Sequence, residues 1–145
     1  MIVDANVLVY AINVDAQHHD PAVRWLESAL NGPASVGFPW QSTTAFVRII
    51  THPRILASPL DAASAWSFVE EWLDADNAWI PTPTVRHREA VEDLLTKGNI
   101  TGNLVPDADL AALAIEHGVP VCSFDSDFAR FADVRWFNPL TAPSN

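Results

Sequence analysis

The chain is poor in the residues that build disulfide frameworks and basic surfaces. It has one cysteine, Cys122, in 145 residues. That excludes an internal disulfide framework and a cysteine-rich zinc site. A lone thiol is compatible with a reducing cytosol. Lys97 is the only lysine, and eight basic residues face eighteen acidic ones, for a net charge of −10. Such a chain lacks the phosphate-neutralising surface of a non-specific nucleic-acid binder. Any nucleic acid it touches must be met by a local basic patch or by metal ions. No apolar run approaches the roughly 20 residues that span a bilayer. Met1-Ile2-Val3 meets Asp4 at once, with no basic stretch before it, so no signal peptide is expected and the expected location is the cytoplasm. Neither a P-loop nor a Gly-x-Gly-x-x-Gly fingerprint is present, which disfavours ATP and dinucleotides. No serine sits in a Gly-x-Ser-x-Gly turn, which leaves a Ser-His-Asp hydrolase unsupported.

What is present forms a core. Apolar residues make up 49% of the chain and charged residues 18%, the composition of one ordinary folded domain. Met1-Ile2-Val3 reads as a buried strand ending at Asp4, with a helix over 6–12. Asp20-Pro21 reads as a cap and first helical position, and Asn31-Gly32 closes that helix. A strand over 35–38 precedes a helix over 43–50. Ser58-Pro59 repeats the cap-plus-proline start of a helix reaching about Asp74. Trp79-Ile80 is a short strand. An amphipathic helix covers 84–97, with Val85 among its apolar positions and Gly98 as its cap. An alanine- and leucine-rich helix covers 107–117. A strand over 119–124 runs into Asp125-Ser126-Asp127 and a short helix through Phe131. Val134 to Trp136 reads as a last edge strand, and residues 141–145 as a polar tail. Alternating strands and helices predict an α/β domain with a mostly parallel sheet covered on both faces.

In an open parallel sheet, ligands bind beyond the carboxyl ends of the strands. Asp4 ends the first strand and Asp125 a later one. Asp107 opens the helix that leads back into that later strand. Three acids far apart in sequence therefore converge through the fold. Clustered carboxylates repel one another, and a divalent cation removes the penalty. All-oxygen ligands point to Mg²⁺ or Mn²⁺ rather than zinc. Such ions can orient a water and stabilise the leaving oxygen of a phosphodiester. Asp4 and Asp125 each have a helix cap as a simpler role, and Asp107 has the helix dipole. Asp127 stands in reserve beside Asp125. Asp109, two residues beyond Asp107, points to another helix face and is expected in solvent.

The ordered motifs carry a resemblance. Met1-Ile2-Val3-Asp4-Ala5-Asn6-Val7-Leu8 is followed by Phe46-Val47-Arg48-Ile49-Ile50-Thr51-His52-Pro53-Arg54. Then come Val105-Pro106-Asp107-Ala108-Asp109-Leu110, Ser123-Phe124-Asp125-Ser126-Asp127-Phe128 and Trp136-Phe137-Asn138-Pro139-Leu140. Together they resemble the PIN-domain ribonucleases, specifically the VapC-type toxins of bacterial toxin–antitoxin pairs. The resemblance covers essentially the whole chain and implies a PIN domain over residues 1–140. It implies a three-layer α/β/α fold with four to five strands. It implies a Mg²⁺-dependent endoribonuclease cutting structured cellular RNA, such as tRNA or rRNA, inhibited by a small antitoxin, and homodimeric. The family's metal-binding acids carry over to Asp4, Asp107 and Asp125, and Asn6 stands where a residue orienting the first acid is common. One departure is plain. The family's glutamate at the start of the helix before the Arg falls near Thr44-Ala45, and no acid lies between Glu27 and Asp61.

Other features carry weaker alternatives. Adjacent His18 and His19 do not share a helix face, which argues against a metal site with Asp20. Arg48 and Arg54 are candidates for phosphate, although a neighbouring acid could claim Arg48. Arg86, Arg88 and Lys97 share a helix with Glu89, Glu92 and Asp93, a solvated mixed-charge face. Trp66 and Trp72, with Phe68, Val69 and Leu73, overload one helix with apolar bulk, and the surplus beyond core packing predicts a dimer or antitoxin interface. Without the glutamate, a PIN domain that binds RNA or a partner without cutting is the rival reading. A phosphatase of another α/β fold needs a lysine at its site, and Lys97 precedes a helix-ending glycine.

Overall fold

The computed structural model describes residues 1–141. Their strands are two residues each: β1 (Ile2–Val3), β2 (Val36–Gly37), β3 (Ala78–Trp79), β4 (Val121–Cys122) and β5 (Trp136–Phe137). They form one parallel sheet in the order β3-β2-β1-β4-β5. The helices are α1 (Ala5–Ile12), α2 (His19–Leu30), α3 (Trp40–Ile50), α4 (Ala62–Leu73), α5 (His87–Lys97) and α6 (Val105–His117). Short 3-10 turns occupy Gly102–Leu104 and Ser126–Arg130.

The pleat explains the layers. Successive strand residues face opposite ways, and both faces here must be apolar. Val3 and Cys122 join a core with side chains of α1, α2, α3 and α4. Their neighbours Ile2 and Val121 join a second core with Leu94 of α5 and the alanines and leucines of α6. The expected three-layer α/β/α architecture follows. The register pairs Ile2 with both Gly37 and Val121, and Val3 with Cys122. Gly37 is required by close approach: a Cβ there would meet the Met1 carbonyl at 3.0 Å and the Trp79 ring at 3.1 Å.

β1 is the switch point. The chain moves from it to β2 and β3 on one side and to β4 and β5 on the other. The crevice beyond the carboxyl ends of β1 and β4 is where such sheets bind ligands.

Several boundaries differ from the sequence reading. α4 starts at Ala62, because Asp61 rather than Ser58 caps it, accepting from the Ser64 amide at 2.7 Å. The Leu60 amide is held by the Ile50 carbonyl at 3.0 Å, which keeps the Ser58-Pro59 segment out of the helix. α2 begins at His19, so Asp20 lies in the first turn rather than at the cap; there it complements the helix dipole. α5 begins at His87 because Thr84 is tied to Glu116 through both its amide and its hydroxyl. Val85, expected on the apolar face, is fully exposed. α3 starts at Trp40 rather than Thr43, and β5 lies at Trp136–Phe137. Thr141 closes a turn onto the Asn138 carbonyl; the rest of the expected polar tail lies outside the described residues. No helix among the described residues is long and apolar enough to cross a membrane.

Candidate metal centre

Asp4 follows β1 directly and its amide is bonded to the Cys122 carbonyl of β4 at 3.0 Å. Its side chain does cap α1, accepting from the Ala5 amide at 2.7 Å through Oδ1. Oδ2 has a second role. It accepts from the Ser123 hydroxyl at 2.7 Å and the Asn6 amide at 3.1 Å. Asn6 Nδ2 also reaches Ser123 Oγ at 3.0 Å, and Asn6 Oδ1 accepts from the Phe124 amide at 3.1 Å. Asn6 and Ser123 thus clasp the carboxylate of β1 to the loop after β4. Burial pushes the Asp4 carboxyl above its usual range; the Ser123 and Ala5 hydrogen bonds oppose this, and the Asp125 charge adds to it.

The loop after β4 is locally determined. Ser123 is fully buried, and its hydroxyl accepts from the Asp125 amide at 3.0 Å. Asp125 in turn caps the 3-10 turn, accepting from the Asp127 amide at 2.8 Å. Asp107 lies in the first turn of α6, after Pro106. One carboxylate oxygen from each of Asp107, Asp125 and Asp127 falls within 4.8 Å of the others. Asp4 is not in that tight set, but its charge, with those of Asp125 and Asp127, acts on Asp107. Burial foremost, and then these three charges, push the Asp107 carboxyl up to about 6.

The donor set fits a hard divalent cation. Oxygens bound to one Mg²⁺ at about 2.1 Å lie roughly 3.0 Å apart when adjacent and roughly 4.2 Å when opposite, so the three side chains must draw together somewhat to share one ion. A cation would also cancel the repulsion that raises Asp107. Asp4 Oδ1, which accepts one hydrogen bond, keeps lone-pair capacity for the same ion or its water.

The other sequence candidates fall elsewhere. His18 stacks on Phe124 with ring centroids 5.2 Å apart, His19 Nδ1 is bonded to the Tyr10 carbonyl at 2.8 Å, and neither belongs to the acidic cluster. Asp109, expected in solvent, is bonded to His87 Nε2 at 2.7 Å. Lys97 pairs with Asp93 at 3.3 Å on the exposed side of α5, away from any catalytic role. Trp72 is core, packed against Phe38, Phe46 and Phe68, whereas Trp66 stays partly exposed. Ala45 adds no acid to the cluster. One turn before it, Gln41 donates to the Pro106 carbonyl at 2.7 Å and joins α3 to the start of α6. Sequence reasoning missed Ser123 and Gln41. A hydroxyl wedged between an apolar strand and an acid was a legible signal for the first; nothing local marks the second.

All-oxygen donors at the switch point of a parallel sheet form an acidic cluster that could hold a metal ion. Comparison with known proteins gives the lineage. The PIN domain matches over residues 1–134. Ribonuclease VapC37 of Mycobacterium tuberculosis is 48% identical over 138 residues, covering 95% of this chain and 96% of that protein. Ribonuclease VapC33 of the same species is 38% identical over 140 residues, covering 97% and 98%. Among solved structures, VapBC2 from Rickettsia felis bound to a promoter DNA fragment aligns with a TM-score of 0.69 at 20% identity, over 94% of this chain and 96% of that one. M. tuberculosis VapC20, a sarcin-ricin loop cleaving toxin, aligns with a TM-score of 0.66 at 18% identity, over 92% and 98%. The chain belongs to the PIN-domain family and, within it, to the VapC ribonucleases.

Proposed function

We propose that the protein is a Mg²⁺-dependent endoribonuclease toxin that cuts structured cellular RNA, tRNA or rRNA, and is silenced by a small antitoxin. The carrying observation is the convergence of Asp107, Asp125 and Asp127 within 4.8 Å, beside Asp4. Asp4, Asp107 and Asp125 would hold the ion, with Asp127 in place of the glutamate absent near Ala45. Mn²⁺ suits the same donors. When bound, the ion supplies Lewis acidity for phosphodiester hydrolysis. The chain's own residues do the positioning. Ser123 and Asn6 fix the Asp4 carboxylate, and the Asp127 amide fixes Asp125. The M. tuberculosis relatives named ribonucleases support RNA as substrate, and the VapC20 neighbour supports a structured rRNA element. The VapBC2 complex supports a co-encoded antitoxin and a dimeric assembly.

The rival reading, a PIN domain that binds without cutting, rests on the glutamate missing near Ala45. Asp127 weakens it by restoring a further carboxylate to the cluster. The test is mapped cleavage of total bacterial RNA by partner-free protein, with Mg²⁺ or Mn²⁺ and with chelator. Asp4→Asn should remove at least 99% of the cleavage while leaving the circular dichroism spectrum intact, in line with the ~10²–10³-fold cost of losing a preorganised electrostatic group. Retained cleavage in that variant would remove Asp4 from the centre. Absence of discrete metal-dependent ends from the unmodified protein would favour the non-cutting reading.

A further inference from the structure

Trp40 opens α3 immediately beyond β2, yet 47% of it is exposed. It stacks on Trp66 of α4, itself 36% exposed, with centroids 6.3 Å apart and ring planes within 16°. Two large aromatics left at the surface as a near-parallel pair are costly unless something covers them. The rest of the helix face indicates what. Trp40, Thr44 and Arg48 are spaced by one turn each and share one face, and Thr44 and Arg48 are both exposed. Among the described residues, Arg48 has no acidic partner. In a chain of net charge −10, an unpaired guanidinium in line with an exposed indole is a distinctive pairing. Three residues over two turns span about 12 Å.

The stripe starts beside the acid cluster. β2 pairs with β1, whose end carries Asp4. Gln41, next to Trp40, is bonded to the Pro106 carbonyl at 2.7 Å, one residue before Asp107. A polyanion held at the carboxylates by metal would therefore pass the first turn of α3.

We propose that this face is a single-stranded RNA track: an unpaired base flanking the scissile phosphate stacks on Trp40, buttressed by Trp66, while Arg48 meets a neighbouring phosphate. The proposal rests on the nuclease reading above. Aromatic faces and arginine planes are the usual platforms for unstacked RNA bases. They suit a protein without lysine-rich surface, because stacking needs no net positive charge. The Thr44 hydroxyl, which donates to the Trp40 carbonyl at 2.7 Å, keeps acceptor capacity toward a ribose hydroxyl.

The test uses fluorescently labelled adenosine and uridine RNA dodecamers, with Mg²⁺ present, and protein carrying Asp4→Asn to prevent cutting. Adding Trp40→Ala should weaken binding by roughly 5- to 150-fold, more for the adenosine strand, whose bases stack better. Trp40→Phe should restore most of it. Arg48→Gln should weaken both strands alike and make the salt slope shallower by about 0.7–1. With Asp4 restored, Trp40→Ala should still cut total RNA, at lower kcat/KM and with changed cleavage positions. Binding within twofold of the parent, in a protein whose unmodified form cleaves RNA, overturns the track and leaves the nuclease standing. Unchanged RNA binding with a lost dimer would assign the pair to a protein interface instead. Failure of the unmodified protein to cut or bind RNA overturns both readings.

Discussion

Asp107 bears the electrostatic cost of the centre. A carboxyl raised from 3.8 to about 6 favours the protonated folded state. Its penalty is absent below pH 3.8, grows as pH rises toward 6, and is full above that. Because the group is half-exposed, solvent screening keeps the penalty modest. Asp107→Asn should therefore raise the Tm of metal-free protein at pH 8 by roughly 2–4 °C, about 1 kcal/mol for a chain of this size, with no gain at pH 4. The same variant should lose the Tm increase that Mg²⁺ gives the parent. A lower Tm at pH 8 would show that Asp107 is a structural ligand of the fold instead. At this scale the sequence was informative but incomplete. The placing of Asp4, Asp107 and Asp125 near one edge of the sheet was legible because each acid ends or begins an apolar element, where an unpartnered charge is costly. Whether Asp127 faces inward depends on the 3-10 geometry of Ser126–Arg130, which periodicity at the helical repeat does not resolve.

Between elements, a polar fastening on His87 joins α5 to α6. His87 stands at the start of α5 with one ring nitrogen on Glu116 and the other on Asp109, the latter at 2.7 Å. Only the doubly protonated ring donates at both nitrogens. Burial opposes that charge, but the hydrogen bonds and charges of Glu116 and Asp109 outweigh it and raise His87 above its ordinary 6.5. A raised histidine contributes stability in full below pH 6.5 and loses it as pH climbs through the folded-state value. His87→Gln should cost about 1–3 kcal/mol at pH 6 and flatten the decline of stability as pH rises above 6.5, read by urea unfolding across pH. An unchanged pH slope would place the titration elsewhere. This fastening also explains why the helix starts were the weakest part of the sequence reading. The helix over 84–97 was expected to begin at Thr84, but Thr84 is committed to Glu116 on another helix; Ser58 looked like a cap, but its segment is held off the helix by the Leu60–Ile50 bond. Tertiary partners decide between competing caps, and a local pattern does not list them.

Over the whole molecule, the order of strands and helices was readable because a doubly covered parallel sheet leaves few solutions for alternating apolar segments. Strand lengths were overestimated, since continuous apolar runs such as Val119 to Phe124 exceed the two residues that pair. The same global view sets how RNA is held. Of eight basic residues, Lys97 is engaged by Asp93 and Arg135 by the Gly118 carbonyl. Six arginines remain, and eighteen acids oppose the approach of a polyanion. If no more than half of these arginines meet phosphate, the slope of log affinity against log monovalent salt on a single strand is roughly −2. Binding should therefore decline gently with NaCl at fixed Mg²⁺ and collapse when the divalent ion is chelated, as followed by anisotropy of a labelled RNA dodecamer. A steep slope, about −5 or beyond, with binding that survives chelation would mean that a basic surface holds the RNA, and the acid cluster would lose its role as the anchor. The gentle slope would tie affinity to the same carboxylates that are proposed to hold the metal, so that an acidic protein would bind a polyanion where it can cut it.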